Sequence, residues 1–332
     1  MTTVAIDKLD SVPALAKDEA TGIGRIPRTI WRFCQRKPLG AVGGAIVVIT
    51  LLCAFFVDAQ IIGSAEPLLA PQHFDDQDLR NRNQDPSLSH LMGTDNFGRD
   101  IFSRVLYGAR TAMIVGFSTV LISAAISLLL GTISGFFGGW TDTIMQRFVD
   151  VILAIPVIIT VVFVLSAYGS DVPGWFNDIG GNDAENYWRA SVITATIGVL
   201  FAVGSIRVVR GAAIATSTNQ YVDAARTIGA SNARIVVRHV MPNVLPVVIV
   251  LATVQLGGAL LASAAVNFLG LGILEPFPDW GTMLSISGSQ LFYAEPMQAV
   301  WPGLAIALVV YGFNMLGDAL RDVLDPRLRG GR

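Results

Sequence analysis

YVDAARTIGASNARIVVRHVMPN, residues 221–243, is a polar, arginine-bearing stretch set between two long apolar runs. Its spacing predicts a helix, a turn and a second helix. Ser217 or Thr218 can cap a first short helix on which Tyr221, Ala225 and Ile228 share a face. Gly229 suits the left-handed position that ends such a helix. Ser231 can cap a second helix carrying Arg234 and Arg238 one turn apart, with Pro242 as its stop before the next apolar run.

The surrounding composition places this loop beside a membrane. Of 332 residues, 52% are hydrophobic and 14% charged, too apolar for an ordinary soluble domain. Six apolar runs, at 39–57, 111–136, 151–169, 190–206, 244–268 and 298–317, reach or approach the ~20 residues of a spanning helix. The fourth is short and is expected to continue as helix past Arg207. The first is too long, and begins too far along the chain, to be the core of a signal peptide.

Lys and Arg set the orientation. With a cytoplasmic N-terminus, the inside segments carry 17 of them and the outside segments 6, while acids number 10 inside and 15 outside. That bias predicts six spans with both termini in the cytoplasm of a bacterial plasma membrane. The formal net charge of −2 therefore conceals a polarised molecule and gives no case for nucleic acid as a partner. Cys34 and Cys53 lie too far apart along the expected helix to form an intrachain bridge.

Several kinds of chemistry are absent. All three lysines, Lys8, Lys17 and Lys37, precede the first span, so the chain has no Gly-Lys-Ser/Thr phosphate loop. His73, His90 and His239 are scattered, and neither a metal-ligand spacing nor a Gly-x-Ser-x-Gly elbow occurs. No Lys, Arg, Asp or Glu lies centrally in a span, which argues against a proton relay or voltage sensor. The chain is expected to bind no cofactor or metal and to catalyse nothing alone.

The segments divide as follows. Residues 1–24 are polar and aperiodic, a disordered cytoplasmic tail. Residues 25–57 join a basic interfacial segment to the first span. Residues 58–110 are the large outside loop, solvated from His73 to Asp85. From Gly93 that loop is expected to form an interfacial helix with Phe97, Ile101 and Val105 on one face and Arg99 and Arg104 elsewhere. Residues 111–332 are the core, with the cytoplasmic loop at 207–243. Gly40/Gly44 and Gly131/Gly135 permit close helix approach. Gln255, Ser263 and Asn267 share a broad face of the fifth span, which fits either a translocation surface or hydrogen bonds between helices.

Four blocks together resemble one family. They are Gly93-Thr94-Asp95-Asn96-Phe97-Gly98-Arg99-Asp100, the 221–243 loop, Phe268-Leu269-Gly270-Leu271-Gly272 with Glu275 to Leu284, and Asn314 to Arg327. In the third block Trp280 is expected at the outer membrane–water interface. In the fourth, Asp318, Arg321 and Asp322 can pair along one helix that Pro326 ends. The chain is similar to ABC importer permeases of the dipeptide/oligopeptide/nickel family, specifically the second, C-type subunit. The 221–243 loop looks like that family's EAA loop, with Asp223 where Glu is usual and Met241 where Leu is usual.

The resemblance implies an all-α type I importer permease fold and a heterodimer with a B-type permease. It also implies cytoplasmic ATPase subunits that hold ATP and Mg, and an extracytoplasmic substrate-binding protein. Tyr221, Asp223, Ala224, Ala225, Gly229 and Ser231 would then dock into an ATPase. Dipeptides or oligopeptides are the expected cargo, with nickel or another small solute as the alternative. A membrane scaffold would share the spans but gives no reason for the Asp-Ala-Ala…Gly block.

Overall fold

A computed structural model describes residues 34–35, 37–57, 69–286 and 295–324. The tail at 1–24, residues 25–33 of the basic segment and Pro326 as a helix stop lie outside these residues. Among the described residues the chain is helical and forms no strand, an isolated bridge joining Thr94 to Asp100.

Helix α1 (Pro38–Phe56) is the first apolar run. Helix α2 (Ile101–Phe137) begins well before the second run because Asp100 caps it, accepting from the Ser103 N–H and Oγ, each at 2.8 Å. The helix expected from Gly93 starts only at Ile101, where it forms the first turns of α2 and feeds the second span. Residues 93–99 fold back as a turn, with both glycines at positive φ. Phe97 stays 40% exposed, while Arg99 and Arg104, expected off the apolar face, are buried at 3% and 2% exposed.

The third apolar run is also not one helix. Helices α3 (Gly139–Leu153) and α4 (Val157–Tyr168) meet at 84°. Pro156 sits at the break in extended conformation (φ −58°, ψ 134°). It has no N–H to donate, its ring disfavours the carbonyl four residues back, and it biases Ile155 away from helix. Among the described residues five helices are long and apolar enough to cross a membrane, and the α3–α4 pair makes six if it counts as one span. Much of the segment expected as a connection at 137–150 is helix α3.

Helix α5 (Gly174–Gly180) leads to α6 (Ala184–Ser217), which does carry the short fourth run past Arg207. Charge pairing ties this extension to α3. Arg210 meets Asp142 of α3 through Nε and Nη2 at 2.5 and 2.6 Å, and Arg207 meets Asp150 at 2.5 Å. The α2–α6 pair is the most extensive helix contact in the molecule. Glycine makes it possible: a β-carbon on Gly135 would stand 2.6 Å from the Arg210 carbonyl oxygen, and one on Gly131 2.7 Å from Val209.

The chain continues through α7 (Gln220–Thr227), α8 (Asn232–Ile235) and α9 (Met241–Phe268), then α10 (Trp280–Ile286) and α11 (Met297–Leu324). The largest buried cluster draws Val47, Met113, Leu260, Met283 and Phe313 from α1, α2, α9, α10 and α11.

Candidate functional site

The 218–243 loop is built from its caps. Asn219, in extended conformation, precedes α7 but makes no side-chain cap. Ser217 and Thr218 were expected there. Instead their hydroxyls donate back to the carbonyls of Ala213 and Ala215, because α6 has not yet ended. At the other end of α7, Gly229 N–H donates to Arg226 O and Ala230 N–H to Ala225 O, each at 3.0 Å. These two bonds make a Schellman motif with Gly229 at φ 82°, as the sequence predicts. A β-carbon there would meet nothing within 4 Å, so glycine is required by backbone conformation alone.

Ser231 caps α8 as expected, its Oγ accepting from Arg234 N–H at 3.4 Å. Pro242 does not stop this helix. Residues 232–268 run as one helical rod, and the proline is absorbed by a π turn at Val236–Val240. Met241 N–H donates to Val236 O, five residues back, a wider turn that accommodates the pyrrolidine ring. Asn243 Nδ2 then donates to the His239 carbonyl at 2.7 Å.

The faces of α7 are divided more sharply than its sequence suggests. Val222 (0% exposed) and Ala225 (6%) pack on Val209 and Ala213 of α6, on Ile235, and on Val240, Val244 and Val248. Tyr221 and Ile228, expected to share Ala225's face, are 42% and 85% exposed. With exposed Ala224 they form a stripe at offsets of three and seven residues, one helical face. Asp223 is exposed in the first turn, where a negative charge is favoured, and pairs with Arg226 at 3.4 Å. The Arg226 guanidinium also lies 5.5 Å from the Phe136 ring centroid, tying α7 to the end of α2.

The polar face of α9 is inside the chain. Gln255 accepts from Ser123 Oγ of α2 at 2.9 Å and donates to Ser205 Oγ of α6 at 2.7 Å. Asn267, fully buried, donates to Asp279 at 2.8 Å and accepts from Ile273 N–H at 3.0 Å. Ser263 is 4% exposed and borders a small cavity with Asp279 and Trp280. Of the two readings open for this face, hydrogen bonding between helices describes Gln255, while Asn267 ties the end of α9 to the segment that follows it. Asp279 also accepts from the Gly281 and Thr282 N–H groups. Burial pushes its carboxyl above the ordinary range, and these donors oppose the shift.

Trp280 is packed inside the protein. It is 4% exposed, its ring rests on Gly108 and its Nε1 donates to Val105 O at 2.9 Å. Beside it lies an ion cluster that sequence reasoning did not find. Arg99 meets Asp95 at 2.7 Å and Glu275 at 2.5 Å, and Arg104 meets Glu275 at 2.8 Å. Asp95, Arg99 and Arg104 come from one sequence block and Glu275 from another, a pattern that admits pairing without specifying it. Among the described residues no group of His, Cys, Asp and Glu could hold a metal ion.

Apolar spans joined by an anchored yet exposed helix–turn–helix describe a polytopic membrane protein. The chain belongs to the family of binding-protein-dependent transport system inner membrane components, whose profile matches residues 127–330. A second profile, the N-terminal TM domain of oligopeptide transport permease C, matches residues 28–86. The chain is 36% identical over 303 residues to the dipeptide transport system permease protein DppC of Alkalihalophilus pseudofirmus, covering 91% of this chain and 90% of that one. It is 35% identical over 324 residues to the glutathione transport system permease protein GsiD of an Escherichia coli strain, covering 97% and 96%. The GsiD of Pectobacterium atrosepticum is 34% identical over 303 residues, covering 91% of each chain. The protein is a multi-pass inner membrane permease.

Proposed function

We propose that this chain is the C-type permease subunit of an ATP-driven importer of short peptides, and that the α7–α8 loop docks into a cytoplasmic ATPase. One observation carries the docking: Tyr221, Ala224 and Ile228 stand exposed on a helix whose other face is anchored by Val222 and Ala225. Ile228, 85% exposed, continues the stripe of Tyr221 and Ala224, and a contiguous exposed stripe of this kind suits a protein contact. A B-type permease would complete the path, ATPase subunits would hold ATP and Mg, and an extracytoplasmic binding protein would deliver cargo. The names of the relatives, a dipeptide permease and glutathione permeases, support peptide as that cargo.

Mechanistically, closure of the ATPases would displace α7. That displacement would pass to α6 through Val222 and Ala225, to α2 through the Arg226–Phe136 contact, and to α9 through the rod at 232–268. The test is uptake by the reconstituted transporter. ATP-dependent accumulation of a dipeptide that is abolished by Ile228→Asp supports the reading, and accumulation of nickel without peptide would replace the cargo. Orientation is tested separately: cysteines at Leu88 and Asn177 should react with an impermeant reagent in intact cells, and one at Ile228 should not.

A further inference from the structure

Helix α3 is amphipathic in reverse. Its polar groups face the protein: Asp142 accepts from Arg210 of α6 and from the Ser134 hydroxyl of α2, Gln146 donates to that hydroxyl, and Asp150 meets Arg207. Val149, 2% exposed, clusters with Val203 and Ile206 on the same side. The outward face is apolar. Trp140, 83% exposed, is followed by exposed Ile144, Phe148 and Val151 at offsets of four, eight and eleven residues. Those offsets are rotations of about 40°, 80° and 20°, one stripe along the helix. Arg147, its side chain 80% exposed, stands about 20° from Trp140 on the other side, within the same face.

Packing and length fix where this stripe lies. Val161 and Leu165 of α4 cluster with Ile193, Ile197 and Leu200, and Trp188 Nε1 donates to Tyr168 O at 2.7 Å, so α4 lies along the apolar run of α6. Helix α3 leaves α4 at 84° and meets α6 where that run gives way to Arg207 and Arg210. Neither helix alone crosses ~30 Å of hydrocarbon: 15 residues reach about 22 Å and 12 residues about 18 Å. With α6 across the bilayer, α3 therefore lies near the plane of one membrane surface, at the end of α6 that continues into the 218–243 loop.

Charge selects what covers the stripe. Asp150 meets Arg207 at 2.5 Å and Arg147 at 3.7 Å, so one carboxylate faces two guanidiniums. A protein partner on this face would bury the excess cation in the middle of an apolar contact. A bilayer surface instead offers hydrocarbon to the four apolar side chains and phosphate to an arginine that reaches up to it.

We propose that α3 is an in-plane helix seated in the headgroup region of that leaflet, with Trp140, Ile144, Phe148 and Val151 in the acyl layer and Arg147 on an anionic lipid headgroup. The inference goes beyond the import reading and does not depend on the cargo.

The test uses the assembled transporter carrying Cys34→Ser and Cys53→Ser, in vesicles of phosphatidylcholine and phosphatidylglycerol. A bimane fluorophore is attached at Phe148→Cys or, separately, at Ile144→Cys. A lipid nitroxide near the headgroup should quench it several-fold more than one near the chain end, and iodide in the water should quench it weakly. Nitroxide-labelled phosphatidylglycerol should reach half-quenching at about fivefold lower content than labelled phosphatidylcholine. Arg147→Gln should remove that preference and Arg147→Lys should keep it. Quenching by neither lipid nor iodide would place the stripe against protein, dominant iodide quenching would place it in water, and stronger quenching from the chain end would place it deep in the bilayer. Each of these overturns the proposal. So would equal quenching by the two lipids, or a preference indifferent to Arg147→Gln. Peptide uptake by the complete system tests the import reading separately.

Discussion

The two ends of α2 are held in opposite ways. At its first turn, Arg104 joins Arg99, Asp95 and Glu275 in a buried cluster that stitches together segments more than 170 residues apart, the Arg99–Glu275 bond spanning 176. At its last turn, Phe136 meets a short helix whose polar contacts are nearly all local and whose apolar tip is exposed. One end is closed by this chain's own residues and the other is presented outward. The contrast separates what the fold must hold still from what it offers to a partner.

The largest effect is expected where the closure is densest. Glu275→Ala leaves two buried guanidiniums short of a counter-charge, at a cost of about 3–5 kcal/mol. The variant should lose its monodisperse peak in detergent or unfold at a markedly lower temperature. Stability equal to the wild type would show that the cluster is not what closes this end. Gln255→Ala is next, removing the partner of the Ser123 and Ser205 hydroxyls for about 1–3 kcal/mol. Thermal unfolding of the purified subunit reads this directly.

At the open end the order of effects reverses between stability and transport. Gly229→Val places a branched side chain at φ 82° for about 1–2 kcal/mol and meets no steric obstacle. The protein should insert and survive purification, while ATP-driven uptake falls to background. A folded Gly229→Val variant with full uptake would remove the loop from coupling. Asp223→Lys should be the mildest for stability, since the side chain is 66% exposed. It should weaken ATPase association several-fold in co-purification, with Asp223→Glu close to wild type. Equal association of all three would place Asp223 outside the contact.

What the sequence disclosed followed the range of the interactions involved. The Gly229 turn and the Ser231 cap depend on neighbours within five residues, so their residue types suffice to place them. The continuation of α6 past Arg207 was legible for the same reason, although its partners Asp142 and Asp150 were not. Pro242 misled because a π turn absorbs a proline that local rules treat as a stop. The burial of Trp280 was not legible, because its place is supplied by Gly108 and the Val105 carbonyl, more than 170 residues away. The Arg99–Arg104–Glu275 cluster was invisible, since charges in two distant blocks carry no record of their pairing. Gln255 was half legible: its polarity inside a span marked it as important, but not as a bridge to Ser123 and Ser205.

The π turn at Val236–Val240 has a mechanical meaning. Because it lets helix persist across Pro242, the loop and the span that follows form one rod of 37 residues, about 55 Å long. A rigid rod transmits angle without loss: a few degrees of tilt imposed at Ser231 sweep the Asn267 end through several ångströms. The Asn267–Asp279 bond would then drag the α10 segment along. The reach of this lever depends on its stiffness, and its compliant points are the widened turn and Pro246 inside α9. Sequence changes that tighten or loosen those points would adjust the gearing between the two faces of the membrane without touching either contact surface.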